Sequence, residues 1–113
     1  DNKNYDIFVG GWFSDYNDPL DFLNVMKTGV YDSYGLYSNS EYDSLIDSLT
    51  GENDNAKRLE IYQKLEDLLV AQDCGVAPLY YSDKHYYYQN WVKDFYTSSF
   101  GASQELYRAT VEK

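Results

Sequence analysis

Ten residues hold most of the chemistry this sequence can offer: Gly10-Gly11-Trp12-Phe13-Ser14-Asp15-Tyr16-Asn17-Asp18-Pro19. An indole and a carboxylate sit three positions apart on a strand-to-helix loop, the kind of segment on which binding sites are built. A carboxylate partly desolvated by an indole receives an ammonium group through a charge-assisted hydrogen bond. The main chain of Phe13 can pair with an extended ligand as a strand edge does. The competing reading is that Asp15 accepts hydrogen bonds from its own loop's N–H groups. The residues alone leave both open. Asp15 and Asp18 together invite a glycosidase reading, but Asp18 is better explained as a helix cap, which leaves Asp15 without a second acid. Acids and asparagines between Asp15 and Asp21 suggest calcium, yet Pro19 and Leu20 break the alternating donors that an EF-hand loop needs.

Other chemistries fare worse. The single histidine, His85, lies in an aromatic stretch, and no Gly-x-Ser-x-Gly elbow supplies a nucleophile. One histidine and one cysteine cannot make a zinc site. The P-loop pattern is missing. The expectation is a binding module rather than an enzyme, with no metal and no cofactor.

The elements that would position the loop read as follows. Tyr5-Asp6-Ile7-Phe8-Val9 is strand-like and runs into Gly10-Gly11. Asp18 can cap a short helix with Pro19 in its first position and a stripe of Leu20, Phe22, Leu23 and Met26, stopped by Gly29. A Tyr-rich loop, Val30 to Tyr37, follows. Ser38 and Glu41 form a capping box for a helix carrying Tyr42, Leu45, Ile46 and Leu49. A third helix, about Ala56 to Gln72 and capped by Asp54 or Asn53, places Leu59, Tyr62, Leu65 and Leu69 on one face, widened by Ile61 and Leu68. Val76 to Tyr81 and His85 to Gln89 read as a hairpin, with Pro78 at an edge or break and Trp91-Val92 as an extension. Beyond Lys93, Phe95, Tyr96, Phe100, Leu106, Tyr107 and Val111 lack a firm period, as in a strand that pairs outside the chain.

The 113 residues suffice for one domain with a modest core, and the hydrophobic share of 43% argues for folding rather than disorder. A net charge of -10 repels phosphate backbones, which argues against a nucleic-acid partner. The 14 tyrosines suit half-buried strands and also surfaces that grip varied ligands, so a stand-alone Tyr-rich interaction or carbohydrate-binding domain is the alternative class. Cys74 can make no internal disulfide and is expected to be a buried thiol before a strand. The start at Asp1, without Met, reads as that of a mature or excised piece.

In order and spacing these motifs resemble the C-terminal part of the oligopeptide- and dipeptide-binding proteins of bacterial ABC importers, the family 5 extracellular solute-binding proteins. The resemblance rests on Gly11 to Pro19, Phe22-Leu23, Tyr37-Ser38-Asn39-Ser40-Glu41-Tyr42-Asp43-Ser44-Leu45-Ile46, Arg58 to Glu66, Val76 to Tyr81 and Trp91-Val92-Lys93, and it covers roughly residues 5 to 107. It implies an α/β fold: part of the second lobe of a two-lobed periplasmic-binding-protein-like architecture, with about three helices packed on a small mixed sheet. Residues 1–113 would be a single fragment, 5–92 a second-lobe portion and 93–113 a tail returning towards a first lobe that is absent. The resemblance further implies that Asp15 pairs with a peptide's α-amino group, Trp12 lines a side-chain pocket and Phe13 contacts the peptide backbone through its own main chain. Ser82 stands where some relatives have a tyrosine, which weakens any ligand contact from that strand. The implied setting is extracellular or periplasmic, with the full-length protein anchored as a lipoprotein and read by ABC importer membrane subunits. Sheet edges left open in an isolated fragment favour self-association.

Overall fold

In the computed structural model, residues 5–30, 34–98, 100, 104–106 and 108–112 are described. Tyr31 to Ser33 of the Tyr-rich loop and Tyr107 of the tail lie outside them. The chain packs as two compact units: one takes the chain up to Trp12 together with Asp18–Pro78, the other takes Phe13–Asn17 and everything from Leu79 on. The division falls at Pro78–Leu79, with a five-residue excursion at Phe13.

The first unit is helical. Helix α1, Leu20–Leu23, runs into a 3₁₀ turn at Asn24–Met26. The Asp18 side chain accepts the Leu20 N–H at 2.9 Å, so the expected cap is present. Helix α2, Ser40–Ser48, is capped by Asn39 and not by Ser38: the Asn39 amide oxygen accepts from the N–H groups of Glu41 and Tyr42. Ser38 Oγ instead accepts from the Thr28 hydroxyl. Helix α3, Asn55–Glu66, is capped by Asp54, which accepts from Ala56 and Lys57.

The expected continuation of α3 to Gln72 is helical but of another kind. Asp67–Gln72 winds as a π-helix, ending with Asp73 N–H on Leu68 O at 2.9 Å. This wider winding accompanies burial of the adjacent Leu68 and Leu69 as well as Leu65. Leu59, assigned to the buried face by its spacing, is 57% exposed. The core joins Leu23, Val25 and Met26 to Tyr42, Ile46 and Leu49 and to Leu65, Leu68 and Leu69, with Trp12, Leu20, Tyr37, Leu45, Ile61, Tyr62 and Val76 packed around it. Tyr42, with no exposed surface, reaches across this core and donates its hydroxyl to Leu23 O at 2.8 Å.

After the π-helix the chain reverses through Cys74, whose φ is +51°. The thiol is exposed, not buried, because it sits on this reversal at the edge of the core. Gly75 packs directly beneath the Tyr37 ring: a Cβ there would lie 2.7 Å from Tyr37 Cδ2 and 3.1 Å from Leu69 Cδ1. Asp73 accepts from the Tyr37 hydroxyl at 2.7 Å and from the Asn39 amide at 2.6 Å, so the α2 cap is also tied to the end of the π-helix.

The second unit contains the β structure. Val92–Lys93 (β1) pairs antiparallel with Thr110–Val111 (β4), and Tyr96–Thr97 (β2) with Gln104–Glu105 (β3). Asp94, at φ +54°, interrupts the ribbon between its two paired stretches. The tail thus pairs within the chain. The ladders are purely antiparallel among the described residues, where a mixed sheet was expected, and they lie in a different unit from the helices. The segments 5–9, 76–81 and 85–89 are not assigned as strands. An apolar, β-branched or aromatic run suits a sheet, but a strand exists only when a neighbour completes its hydrogen bonds. Apart from Val76 and Tyr86, which are partly buried, their side chains are open to solvent, with Ile7 at 84% and Tyr81 at 100% exposure.

Two substitutions test this core. Tyr42→Phe leaves Leu23 O without its buried donor and is expected to cost about 1–3 kcal/mol. Leu65→Ala opens a cavity under α3 and is expected to cost about 2–5 kcal/mol. Urea denaturation followed by far-UV circular dichroism measures both, and a Leu65→Ala midpoint equal to wild type would contradict this core assignment.

Candidate functional site

The loop is held at its end by Asp18. Besides capping α1, its Oδ1 accepts the Tyr62 hydroxyl at 2.6 Å and its Oδ2 accepts Arg58 Nη2 at 2.7 Å. Arg58 and Tyr62 are one turn apart on α3, so both face the same carboxylate. Arg58 Nη2 also donates to the Tyr62 hydroxyl, and Nη1 reaches the carbonyls of Leu49 and Glu52 at 3.4 and 3.2 Å. A single guanidinium therefore binds the start of α1, the Tyr62 phenol and the end of α2. Asp18, Pro19, Asn55, Arg58, Leu59 and Tyr62 line a shallow recess at this junction.

The electrostatics follow the geometry. Desolvation raises the Asp18 pKa, but the hydrogen bonds from Tyr62 and Leu20 N–H and the Arg58 charge outweigh it and hold the carboxyl below 3.8. Burial, and then the bond to Asp18, push the Tyr62 phenol up to about 12. At the other end of α3, hydrogen bonds from Tyr37 and Asn39 lower the exposed Asp73 carboxyl.

The three sequence-predicted ligand residues are distributed between the two units. Trp12 belongs to the first, half-buried against the core, and its indole Nε1–H donates to Asp21 Oδ2 at 3.2 Å. Phe13 and Asp15 belong to the second, and both are exposed. Lys84 Nζ lies 4.7 Å from the Phe13 ring centroid, a cation–π distance. In the same unit Tyr86 and Tyr88 pack on Phe95, with centroids 6.1 and 5.1 Å apart. Sequence reasoning missed Arg58, Tyr62, Asp21 and Lys84. The i, i+4 spacing of Arg58 and Tyr62 was available as a signal, but nothing in the sequence names Asp18 as their partner, forty positions upstream of Arg58. Among the described residues no cluster of three or more His, Cys, Asp or Glu side chains could hold a metal ion. Nor is any described helix long and apolar enough to cross a membrane.

The chain is 33% identical over 95 residues, 82% of its length, to the oligopeptide-binding protein OppA of Bacillus subtilis. It is 32% identical over 78% of its length to the periplasmic oligopeptide-binding protein OppA of Salmonella typhimurium. The chain belongs to the family 5 extracellular solute-binding proteins. The match to each of these two relatives spans about 16% of the relative's own length. Another relative, 34% identical over 62% of the chain, is a probable deoxycholate-binding periplasmic protein, YgiS of Escherichia coli. No family model and no solved structure matches the chain.

The Asp18 carboxylate makes stability depend on acid. Its folded pKa lies below the unfolded value, so its contribution is complete above the unfolded pKa and disappears as pH falls through the folded one. Asp18→Asn is therefore expected to destabilise near neutral pH and to flatten the loss of stability below about pH 4. Urea midpoints measured from pH 6 down to pH 2 check this. An acid limb unchanged in the variant would remove Asp18 from the account.

Proposed function

We propose that this chain contributes the ligand-anchoring loop of an importer's peptide-binding protein. In this reading Asp15 receives the peptide's α-amino group, Trp12 walls a side-chain pocket and the Phe13 main chain pairs with the peptide backbone. The observation that carries the reading is the match to two oligopeptide-binding proteins over about four-fifths of the chain, 82% in one and 78% in the other. The geometry supports it: the loop begins at an indole tied to α1 and ends at a carboxylate tied to α3, so both its ends are held by side chains of a packed core. Recognition of backbone and terminus asks little of side-chain identity. Wet pockets then accept varied residues through bridging waters.

The same reading gives the open segments a purpose. Ile7, Val9, Leu79, Tyr80, Tyr81 and Tyr87 expose apolar surface that strands from the remainder of a longer protein would cover. Chains lacking that cover would pair with one another through these edges. The proposed setting is outside the cytoplasmic membrane, periplasmic or tethered as a lipoprotein, where closure of two lobes presents the loaded form to ABC membrane subunits. No catalytic step and no nucleic acid enters. A second cargo is favoured by one observation, the similarity to a protein named for deoxycholate binding. An Asp15 ammonium anchor has no counterpart on a bile acid.

In the full-length protein, Asp15→Asn is expected to weaken binding of an unmodified tripeptide by about tenfold or more, since truncating one side of a buried charge pair costs about 2–5 kcal/mol. Acetylating the peptide's amino terminus should weaken binding to the wild-type protein to a similar degree. Isothermal calorimetry measures both. Equal affinity of wild type and Asp15→Asn for the free peptide, or tight deoxycholate binding with none for peptides, would overturn the reading.

A further inference from the structure

Asp21 is 7% exposed and is the one buried charged residue in the described core. It lies in the first turn of α1, where an acid is favoured by the orphan N–H groups, but an exposed acid would serve that purpose as well. Burial of a carboxylate is expensive unless its oxygens are hydrogen-bonded. Here Oδ2 accepts the Trp12 indole N–H at 3.2 Å. The bond spans nine residues and bridges the whole loop, from the last residue before the Phe13–Asn17 excursion to the helix that follows it. Indole nitrogen is a donor only, with a single N–H, so a fixed acceptor selects one edge of the ring. Apolar packing against the buried core restricts the ring without choosing that edge.

We infer that Asp21 is the positioning residue for Trp12, fixing the indole's orientation and so the shape of the side-chain pocket it walls. The inference rests on the peptide-binding reading above and deepens it. Asp15 and the Phe13 main chain hold what every peptide shares, whereas the Trp12 wall meets only what differs between peptides. Loss of the Asp21 bond should therefore change selectivity for large side chains and leave the common anchor intact. Asn at position 21 retains an acceptor oxygen of the same reach, and Leu retains the volume without the acceptor.

The test uses the full-length protein, calorimetry with trialanine and trityrosine, and fluorine NMR of 5-fluorotryptophan-labelled protein with the Trp12 resonance assigned by Trp12→Phe. Asp21→Leu should shift the Trp12 resonance and weaken trityrosine binding fivefold or more, with trialanine changed less than twofold. Asp21→Asn should restore trityrosine affinity to within twofold of wild type. In a Trp12→Phe background, Asp21→Leu should have no further effect. If Asp21→Leu does not fold, replacement of Trp12 by benzothienylalanine, which has the indole's shape without its N–H, should give the same selective loss. Equal weakening of both peptides, full additivity with Trp12→Phe, or an unmoved Trp12 resonance would overturn the inference and leave the peptide reading standing. A wild-type protein that binds neither peptide would overturn both together.

Discussion

The Asp18 carboxylate accepts from three donors at once. It caps α1, takes a phenolic O–H, takes a guanidinium, and through that guanidinium is joined to the carbonyls of Leu49, at the end of α2, and of Glu52, in the turn before α3. Isolated surface ion pairs contribute little to stability because solvent screens them and side-chain entropy opposes them. This pair differs in being partly shielded and in sharing its partners. Side-chain exposures of 19% for Arg58 and 31% for Asp18 leave fewer competing waters. The Tyr62 ring, 5.4 Å from the Arg58 guanidinium carbon, covers one side of the charge. A four-residue helix such as α1 could not persist by its own hydrogen bonds. It exists because its first turn is secured by this network and because Leu20 and Leu23 pack into the core, Phe22 staying exposed.

The same dependence explains what was legible in the sequence. Helix starts could be read because caps are local: Asp18 and Asp54 each act on N–H groups two or three residues away. The displacement of the second cap from Ser38 to Asn39 is a choice between neighbouring acceptors that local rules rank nearly alike. The apolar stripe of α3 was right at Leu65, Leu68 and Leu69 and wrong at Leu59. At its first turns α3 turns Arg58 and Tyr62 towards Asp18. Strands were the least legible elements, because pairing depends on residues far away in sequence. The aromatic runs 76–81 and 85–89 have strong β character and are not strands here. The weakly patterned pairs 96–97 and 104–105 are strands.

For the candidate site, the sequence named the loop but not its fastenings. Trp12, Phe13 and Asp15 stand out by type and spacing. Arg58, Tyr62 and Asp21 resemble any charged or aromatic residues of an amphipathic helix until the fold brings them to a partner. The residues that fasten the loop's ends, Trp12 with Asp21 and Asp18 with Arg58 and Tyr62, answer to the core.

The π-helix at Asp67–Gln72 has a consequence for how this chain tolerates change. A π segment is an α-helix carrying one surplus residue. Removing a single residue from this stretch would let the helix close into regular α winding, and because the wider π turn had already absorbed the surplus residue, the chain downstream would keep nearly its present direction. Gly75 would then stay under the Tyr37 ring, and Asp73 near the Asn39 amide. A one-residue gap inside the regular winding of α3, by contrast, would turn everything after it by about 100°.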